Sequence, residues 1–239
     1  TSGDIDIIGS GAGPLMTEIA LTTIGSKVGS HVTSSSSNIN ISDNSFSITS
    51  GKGLALNTTG HNNIAVGDEV LYSNTTGLHN IGLGNSVLFK NTTGSTNIAL
   101  GRLALYSNTI GENNIAMNYR SLFFNTSGSN NIALGLDALQ FNTTGNINIA
   151  LGSYALNRNT AGQSNIAMGE ESLFYNETGN DNVSHGYRSL FSNTTGSENI
   201  SLGSRSLYSN TTGFNNTALG IDALYTNQTG NDNIAIGNN

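Results

Sequence analysis

The sequence predicts an all-β fold, a β-solenoid with one 17-residue coil per repeat, and three observations lead there. From Asn57 the unit N-T-T-G-x-x-N-I-A-L-G-x-x-A-L-Y-x recurs every 17 residues without a slip, through ten complete copies (57–226) and into an eleventh that reaches Asn239. A short fixed period means that one structural unit stacks on itself. Within each unit N-I-A-L-G reads as a short strand bounded by Asn and Gly. The competing architectures fit poorly. A helical-hairpin repeat needs about 34 residues, and a meander of hairpins calls for two-residue Asn-Gly or Asp-Gly turns. The chain is rich in Asn and Gly yet contains no Asn-Gly dipeptide.

Residues 1–50 have a different texture and are read as a β cap, shaft or donor-strand segment. D-I-D-I-I, E-I-A-L-T-T-I and N-I-N-I-S-D-N-S-F-S-I-T alternate polar and apolar residues, the period of a strand. Residues 9–14 (G-S-G-A-G-P) and the serine run 34–37 read as joints. The segment Asp4–Ile8 is the candidate donor strand for a neighbouring subunit's sheet edge. Leu54 falls in register with the repeat leucine, so a degenerate coil is expected to begin near Gly51. The solenoid is therefore assigned to 51–239.

Numbering each unit 1 to 17 from its first Asn, positions 1, 4 and 7 are Asn, Gly and Asn in all eleven copies, and position 15 is Leu in all ten that reach it. Position 11 is Gly in ten of eleven, with Asn118 as the exception. Asn is the side chain that best tolerates a left-handed backbone, so this position is expected at positive φ, at a corner. In the strand, Ile64 and Val66 share one face and Ala65 the other, as do Ile98 and Leu100. The next stretch, as in G-R-L-A-L-Y-S-N, reads either as a second short strand or as a single 3₁₀-like turn. Stacking at about 4.8 Å per coil puts like residues over like, with candidate ladders at Asn63, Asn80, Asn97, Asn114 and Asn131 and at Leu71, Leu88, Leu105, Leu122 and Leu139. Ten coils then span roughly 48 Å.

Position 16, beside the repeat leucine, is aromatic in eight of ten copies: Tyr72, Phe89, Tyr106, Phe123, Phe174, Phe191, Tyr208 and Tyr225. Gln140 and Asn157 interrupt the series, and Phe141 shifts in beside the first gap. If the leucine faces inward, this column faces outward, and a long apolar column marks an interface. The expected partner is the chain itself, most simply as a parallel homotrimer. The alternative is a corner at which leucine and ring both turn inward.

Charged residues are 10 % of the chain, against roughly 25 % in typical soluble proteins. Net charge is −7 with eight Lys and Arg, which disfavours a nucleic-acid partner. There are no cysteines, so disulfides and thiolate metal sites do not arise. No apolar run approaches 18 residues, so no membrane insertion is expected. The chain opens on Thr1, the start expected of a processed product or a piece of something longer.

Chemistry is sparse. His31, His61, His79 and His185 form no H-x₃-H pair. His185 stands where other copies carry Leu, Met or Val, with Glu177 and Asp181 in the same divergent coil. Asp137 and Glu171 share position 13 two coils apart, roughly 10 Å, near the upper edge for an inverting carboxylate pair. No nucleophile elbow, phosphate loop or calcium-type repeat occurs. Adjacent threonines on an extended backbone point to opposite sides, and N-T-T-G reads as a turn, so a flat ice-binding face is not predicted. N-T-T and N-T-S are formal glycosylation sequons, but an Asn present in every unit is better explained by structure. No catalytic residue, cofactor or metal ligand is assigned.

The 17-residue unit N-T-T-G-x-x-N-I-A-L-G-x-x-A-L-Y resembles repeats of phage tail-fibre and bacterial surface proteins, in which the array commonly precedes an endosialidase-type self-cleaving chaperone domain. The N-I-A-L-G element is also similar, more loosely, to the strand motif of trimeric autotransporter adhesin heads. The resemblance covers about three quarters of the chain. It implies a non-enzymatic, homotrimeric structural fibre, extracellular or on a virion surface, that contacts a cell-surface glycan or protein receptor. A self-polymerising extracellular filament subunit, joined by solenoid stacking or strand donation, is the alternative, and a polysaccharide-cleaving solenoid is third.

Overall fold

A computed structural model describes residues 53–238 in full, together with the backbone of four strands before them. Those four are β1 (Ile5–Ile8), β2 (Leu21–Ile24), β3 (Asn38–Ser42) and β4 (Ser45–Thr49). Eleven three-residue strands follow, one per 17 residues, from β5 (Ile64–Val66) to β15 (Ile234–Ile236). All fifteen lie in chain order in a single sheet. Pairing is parallel except for the β3–β4 hairpin. No helix occurs among the described residues. The fold is a β-solenoid, and its register is direct: Ile149 pairs with Ile166, Ala150 with Ala167 and Leu151 with Met168.

The segment offered as a donor strand pairs along Ile5–Ile8 with Leu21–Ile24 of its own chain. Residues 9–14 and 34–37, His31, Asp4 and Gly51 lie outside the described residues. Leu54 already adopts the conformation of the later leucines, with φ 49° and its amide donating to the Val70 carbonyl at 3.0 Å.

Of the two readings for positions 12–15, the turn is the observed one. Position 11 is the expected corner, with glycine φ between 121° and 152° and Asn118 at 99°. The two residues C-terminal to it in alternation are also left-handed: Asp137 at φ 54° and Leu139 at 50°, repeated in every coil. A left-handed conformation costs an L-residue about 1–2 kcal/mol. Reversing the hand at every second residue keeps this wall from winding into a helix and leaves its amides to bond along the coil axis. Thus Asp137 N–H donates down to Tyr119 O at 3.0 Å and Leu139 N–H donates up to Ala155 O at 3.0 Å. The axial bonds offset the conformational cost.

The core is narrow. Position 9 of the strand faces position 14 of the opposite wall. Ala99, Ala133 and Ala150 meet Ala104, Ala138 and Ala155, all at 0 % exposure, and Leu105, Leu139 and Leu156 fill the remaining width. Volumes are matched locally. Gly82 replaces alanine beside Val70 and Val87, and a methyl group there would collide with the Val70 side chain. Toward the C-terminal coils the alanines become serines. Ser172 Oγ bonds to Ser184 Oγ at 2.7 Å, Ser184 to Ser189 at 2.9 Å and Ser189 to Ser201 at 2.8 Å. Every hydroxyl in that buried chain finds a partner, which is the condition for burying it.

The rest of the interior is amide. At position 7, Asn131 Nδ2 donates to Asn114 Oδ1 (3.2 Å) and to Gly145 O (2.9 Å), and its own Oδ1 accepts from Asn148 N–H (3.0 Å) and Nδ2 (3.1 Å). At position 1, Asn108 Nδ2 donates to Asn91 Oδ1 (2.8 Å) and to Gly111 O (3.0 Å). Both columns are fully buried from Asn63 to Asn216, and their end members Asn57, Asn227 and Asn233 are half-buried. The position-4 glycine carbonyl therefore receives one amide from each ladder. In the N-T-T-G turn three consecutive amides converge on one oxygen: Thr92, Thr93 and Gly94 N–H all reach Thr109 O, at 3.0, 3.1 and 3.2 Å. That turn places both threonine columns at the surface.

Candidate functional site

With the interior filled by backbone-like ladders, the lateral surfaces carry whatever the molecule presents. They divide into four axial strips, each defined by its positions in the coil.

The first is the outward face of the strand. Because alanine occupies the inside, the large side chains of I-A-L point away from the core. Leu83 is 47 % exposed, Ile200 42 % and Ile64 39 %. Positions 8 and 10 thus form two parallel apolar columns over eleven strands, broken by Thr217 and by His185, which is exposed. Sequence reasoning had the two faces of the strand but not their sense. The signal was present, since the inner position is only Ala, Gly or Ser in every copy.

The second is the aromatic column at position 16. Tyr72, Phe89, Tyr106 and Phe123 stack with centroids 5.1–5.2 Å apart and planes within 4–11°. Phe174, Phe191, Tyr208 and Tyr225 form a second stack at 5.0–5.5 Å. All eight rings are half-buried. Their faces are covered by one another, so only edges look outward. At the interruption Gln140 and Asn157 are buried, and Asn157 Nδ2 donates to Asp137 O at 2.7 Å. There the rings move one position outward, to Phe124 and Phe141, which stack at 5.2 Å.

The third is the variable corner at positions 12 and 13. Asp137 and Glu171 are not brought together as a carboxylate pair. Arg120 grips Asp137 in a bidentate contact, Nε–Oδ1 and Nη2–Oδ2 both 2.8 Å, with Asp137 almost fully buried. Glu171 is paired with Arg188, and Arg205 with Asp222 at 2.6 Å. The hydrogen bonds that Arg120 donates to Asp137 raise the pKa of its guanidinium above the ordinary value, against an opposing desolvation. These contacts join adjacent coils. They tie the corner together and commit Asp137, Glu171 and Asp222 to arginines.

The fourth is a groove between positions 17 and 2, with a volume of about 580 Å³. Phe124 and Phe141 form one wall and a row of threonines the other. His61 and His79 lie elsewhere, on the exposed turn, where Asn62 Nδ2 lies 3.0 Å from His79 Nε2. No group of His, Asp and Glu able to hold a metal occurs among the described residues, and among them no helix is long and apolar enough to cross a membrane.

Of the seven N-T-T and N-T-S asparagines, Asn57 in the first coil is half-buried and the other six are interior. Asn74, Asn91, Asn125, Asn142, Asn193 and Asn210 are at 0 % exposure, with Nδ2 held by the ladder. Glycosylation at Asn142 and folding of its coil are therefore mutually exclusive. Secreted through a glycosylating pathway, the folded, protease-resistant fraction is expected to carry no glycan at Asn142 by intact-mass and peptide mapping. A folded fraction glycosylated there would contradict the ladder.

A scan against protein-family models, a search of curated proteins and a search of solved structures each return no match.

Proposed function

We propose that the chain is a non-enzymatic structural segment of a homotrimeric fibre, extracellular or on a virion surface, that holds and presents attachment surfaces to a host cell or substrate. The observation that carries this reading is the Ile/Leu face of the strand, which runs along eleven coils with breaks at His185 and Thr217. Eleven strands at about 4.8 Å give a strip roughly 50 Å long and on the order of 500 Å². A patch of that size lies toward the upper end of the roughly 300–600 Å² that is the largest on a typical monomer and is often functional, against roughly 800 Å² per partner in a standard interface.

The two columns differ, Ile at position 8 and mostly Leu or Met at position 10. A ring in which the Ile column of one chain meets the Leu column of the next closes as a cyclic assembly with parallel axes. A parallel two-fold pair matches the columns equally, and three chains are proposed because the 17-residue unit resembles repeats of trimeric fibres. The aromatic column is a weaker candidate for the contact than it looked in sequence, because its ring faces are already stacked within the chain.

Replacing Leu134 and Leu151 together by glutamate tests this. Position 10 tolerates a polar residue, as His185 shows, so each coil is expected to stay folded. Sedimentation velocity should show the parent as a trimer and the variant as a monomer with unchanged circular dichroism. A monomeric parent, or a variant that remains trimeric, removes the proposal.

A further inference from the structure

The groove between positions 17 and 2 runs along the middle coils, where the sequence departs from its own repeat. Elsewhere position 17 is mostly Ser, as at Ser73, Ser107, Ser192 and Ser209. Across the interruption of the aromatic column it becomes Phe124, Phe141, Arg158 and Tyr175. Phe124 and Phe141 are 39 % and 36 % exposed. Phe123 packs edge-on against Phe124 at 4.6 Å, and Phe141 stacks on it, so C–H edges form the wall.

The facing wall is four threonines, one per coil from Thr109 to Thr160. Each hydroxyl donates its proton to the carbonyl one coil on: Thr109 to Thr126 O at 2.9 Å, Thr126 to Thr143 O at 3.0 Å, Thr143 to Thr160 O at 2.9 Å. The oxygens therefore meet a ligand as acceptors only, spaced by one coil. The backbone is closed as well, since Thr109, Thr126 and Thr143 carbonyls each take three amides from the preceding coil. A peptide strand has no edge to pair with. A ligand rich in hydroxyl donors and C–H faces, repeating at about 4.8 Å, does fit, and an extended sugar chain has roughly one ring per coil.

Charge narrows the class. Six Lys and Arg occur among the described residues. Arg120, Arg188 and Arg205 are paired with carboxylates, and Arg102 lies against Tyr119. The remaining two both border the groove. Lys90 lines it and lies 5.4 Å from the Tyr106 ring, and Arg158 sits 5.6 Å from Phe141 and 5.8 Å from Tyr175. Neither has an ion-pair partner among the described residues. They are four coils apart, about 19 Å. The carboxylate on these two columns, Glu177, stands one coil beyond Thr160. In a chain of net charge −7, this is a cation-flanked trough.

We propose that the groove binds an extended carboxylated glycan, a uronate-type chain lying parallel to the coil axis, with its C–H faces on Phe124 and Phe141, its hydroxyls donating to the threonine row and its carboxylates at Lys90 and Arg158. This rests on the attachment reading above and names the ligand class for it. The groove belongs to the wall that packs across the core from the strand, so trimer formation through the Ile/Leu face leaves it open.

The test is titration calorimetry of the full chain with oligogalacturonate, with a neutral oligoglucan of equal length and polyglutamate as comparators. Phe124→Ser with Phe141→Ser, and Lys90→Ser with Arg158→Ser, restore the residue that Ser107 and Ser192 already carry at this position, so folding is expected to survive. The parent should bind oligogalacturonate, and each double variant about tenfold or more weakly, with affinity falling as salt rises. No binding by the parent, unchanged affinity in either variant, equal affinity for the neutral glycan, or preference for polyglutamate would each overturn the proposal. Sedimentation of the same samples separates the two readings: a trimer that ignores the glycan sinks the groove alone, whereas a monomer sinks the fibre.

Discussion

Gly94→Ala is expected to destabilise the solenoid by roughly 4 kcal/mol, an overpacking cost of about 1–3 kcal/mol added to the loss of one or two buried hydrogen bonds at about 1–3 kcal/mol each. The cause is steric rather than conformational. A methyl group at Gly94 would lie 2.5 Å from Asn91 Oδ1, 2.5 Å from Gly111 O and 2.8 Å from Asn108 Nδ2. Two of these belong to the position-1 ladder and the third to the backbone of the next coil, so relief requires separating coils. The neighbouring Thr93→Ala is the control. Ala161 occupies that position in another copy, Thr93 is exposed, and the change should stay within about 0.5 kcal/mol. Denaturant titration decides, with hydrogen exchange reporting whether opening starts at this coil. A loss under about 1 kcal/mol for Gly94→Ala would show that the coils separate easily, against the geometry.

The second large effect is expected at the other ladder. Asn131→Asp keeps shape and both accepting bonds from Asn148 but replaces the donors to Asn114 Oδ1 and Gly145 O with lone pairs. A carboxylate at a site of 0 % exposure is disfavoured in its charged form, so its folded-state pKa lies above the unfolded one. The variant is expected to lose about 3–5 kcal/mol at neutral pH. With the folded pKa raised, the native state binds the extra proton more tightly. The deficit relative to the parent is full above the folded pKa and shrinks as pH falls toward the unfolded value. Protonation also restores one donor. Denaturation of parent and variant at neutral and mildly acidic pH measures this. A deficit independent of pH would mean that water enters the coil and solvates the carboxylate.

Both effects follow from an interior built of peptide-like groups. An ordinary core responds most to lost methyls. Here the columns at positions 1, 4 and 7 are closed hydrogen-bond networks with no slack, so adding one carbon or removing one donor propagates to the coils above and below.

Much of the fold was legible. The uniform spacing implied that like residues stack, and Asn118 among ten glycines marked position 11 as a positive-φ corner. Other features left weaker traces. Leucine at φ near 50° is invisible in sequence, because leucine disfavours that conformation and only axial hydrogen bonding compensates it. Gly60 and Gly67 look alike on paper, yet Gly67 is required by its φ of 123° and Gly60 by the amides around it. The groove was missed because Phe124, Phe141 and Arg158 look like scatter until coils are superposed. Asp137 and Glu171 share a position, as read, but arginines one coil away were not weighed as their partners.

By itself the sequence determined the period, the stacking register and the all-β class, because identical units at one spacing bury their backbone polar groups only by bonding to copies of themselves. The tertiary structure decided which way each strand faces. Seventeen residues enclose room for Ala against Ala plus one Leu and two amide columns, so Ile and Leu are forced outward. That width, a property of the closed coil and not of any one unit, converts what reads as core into exposed surface.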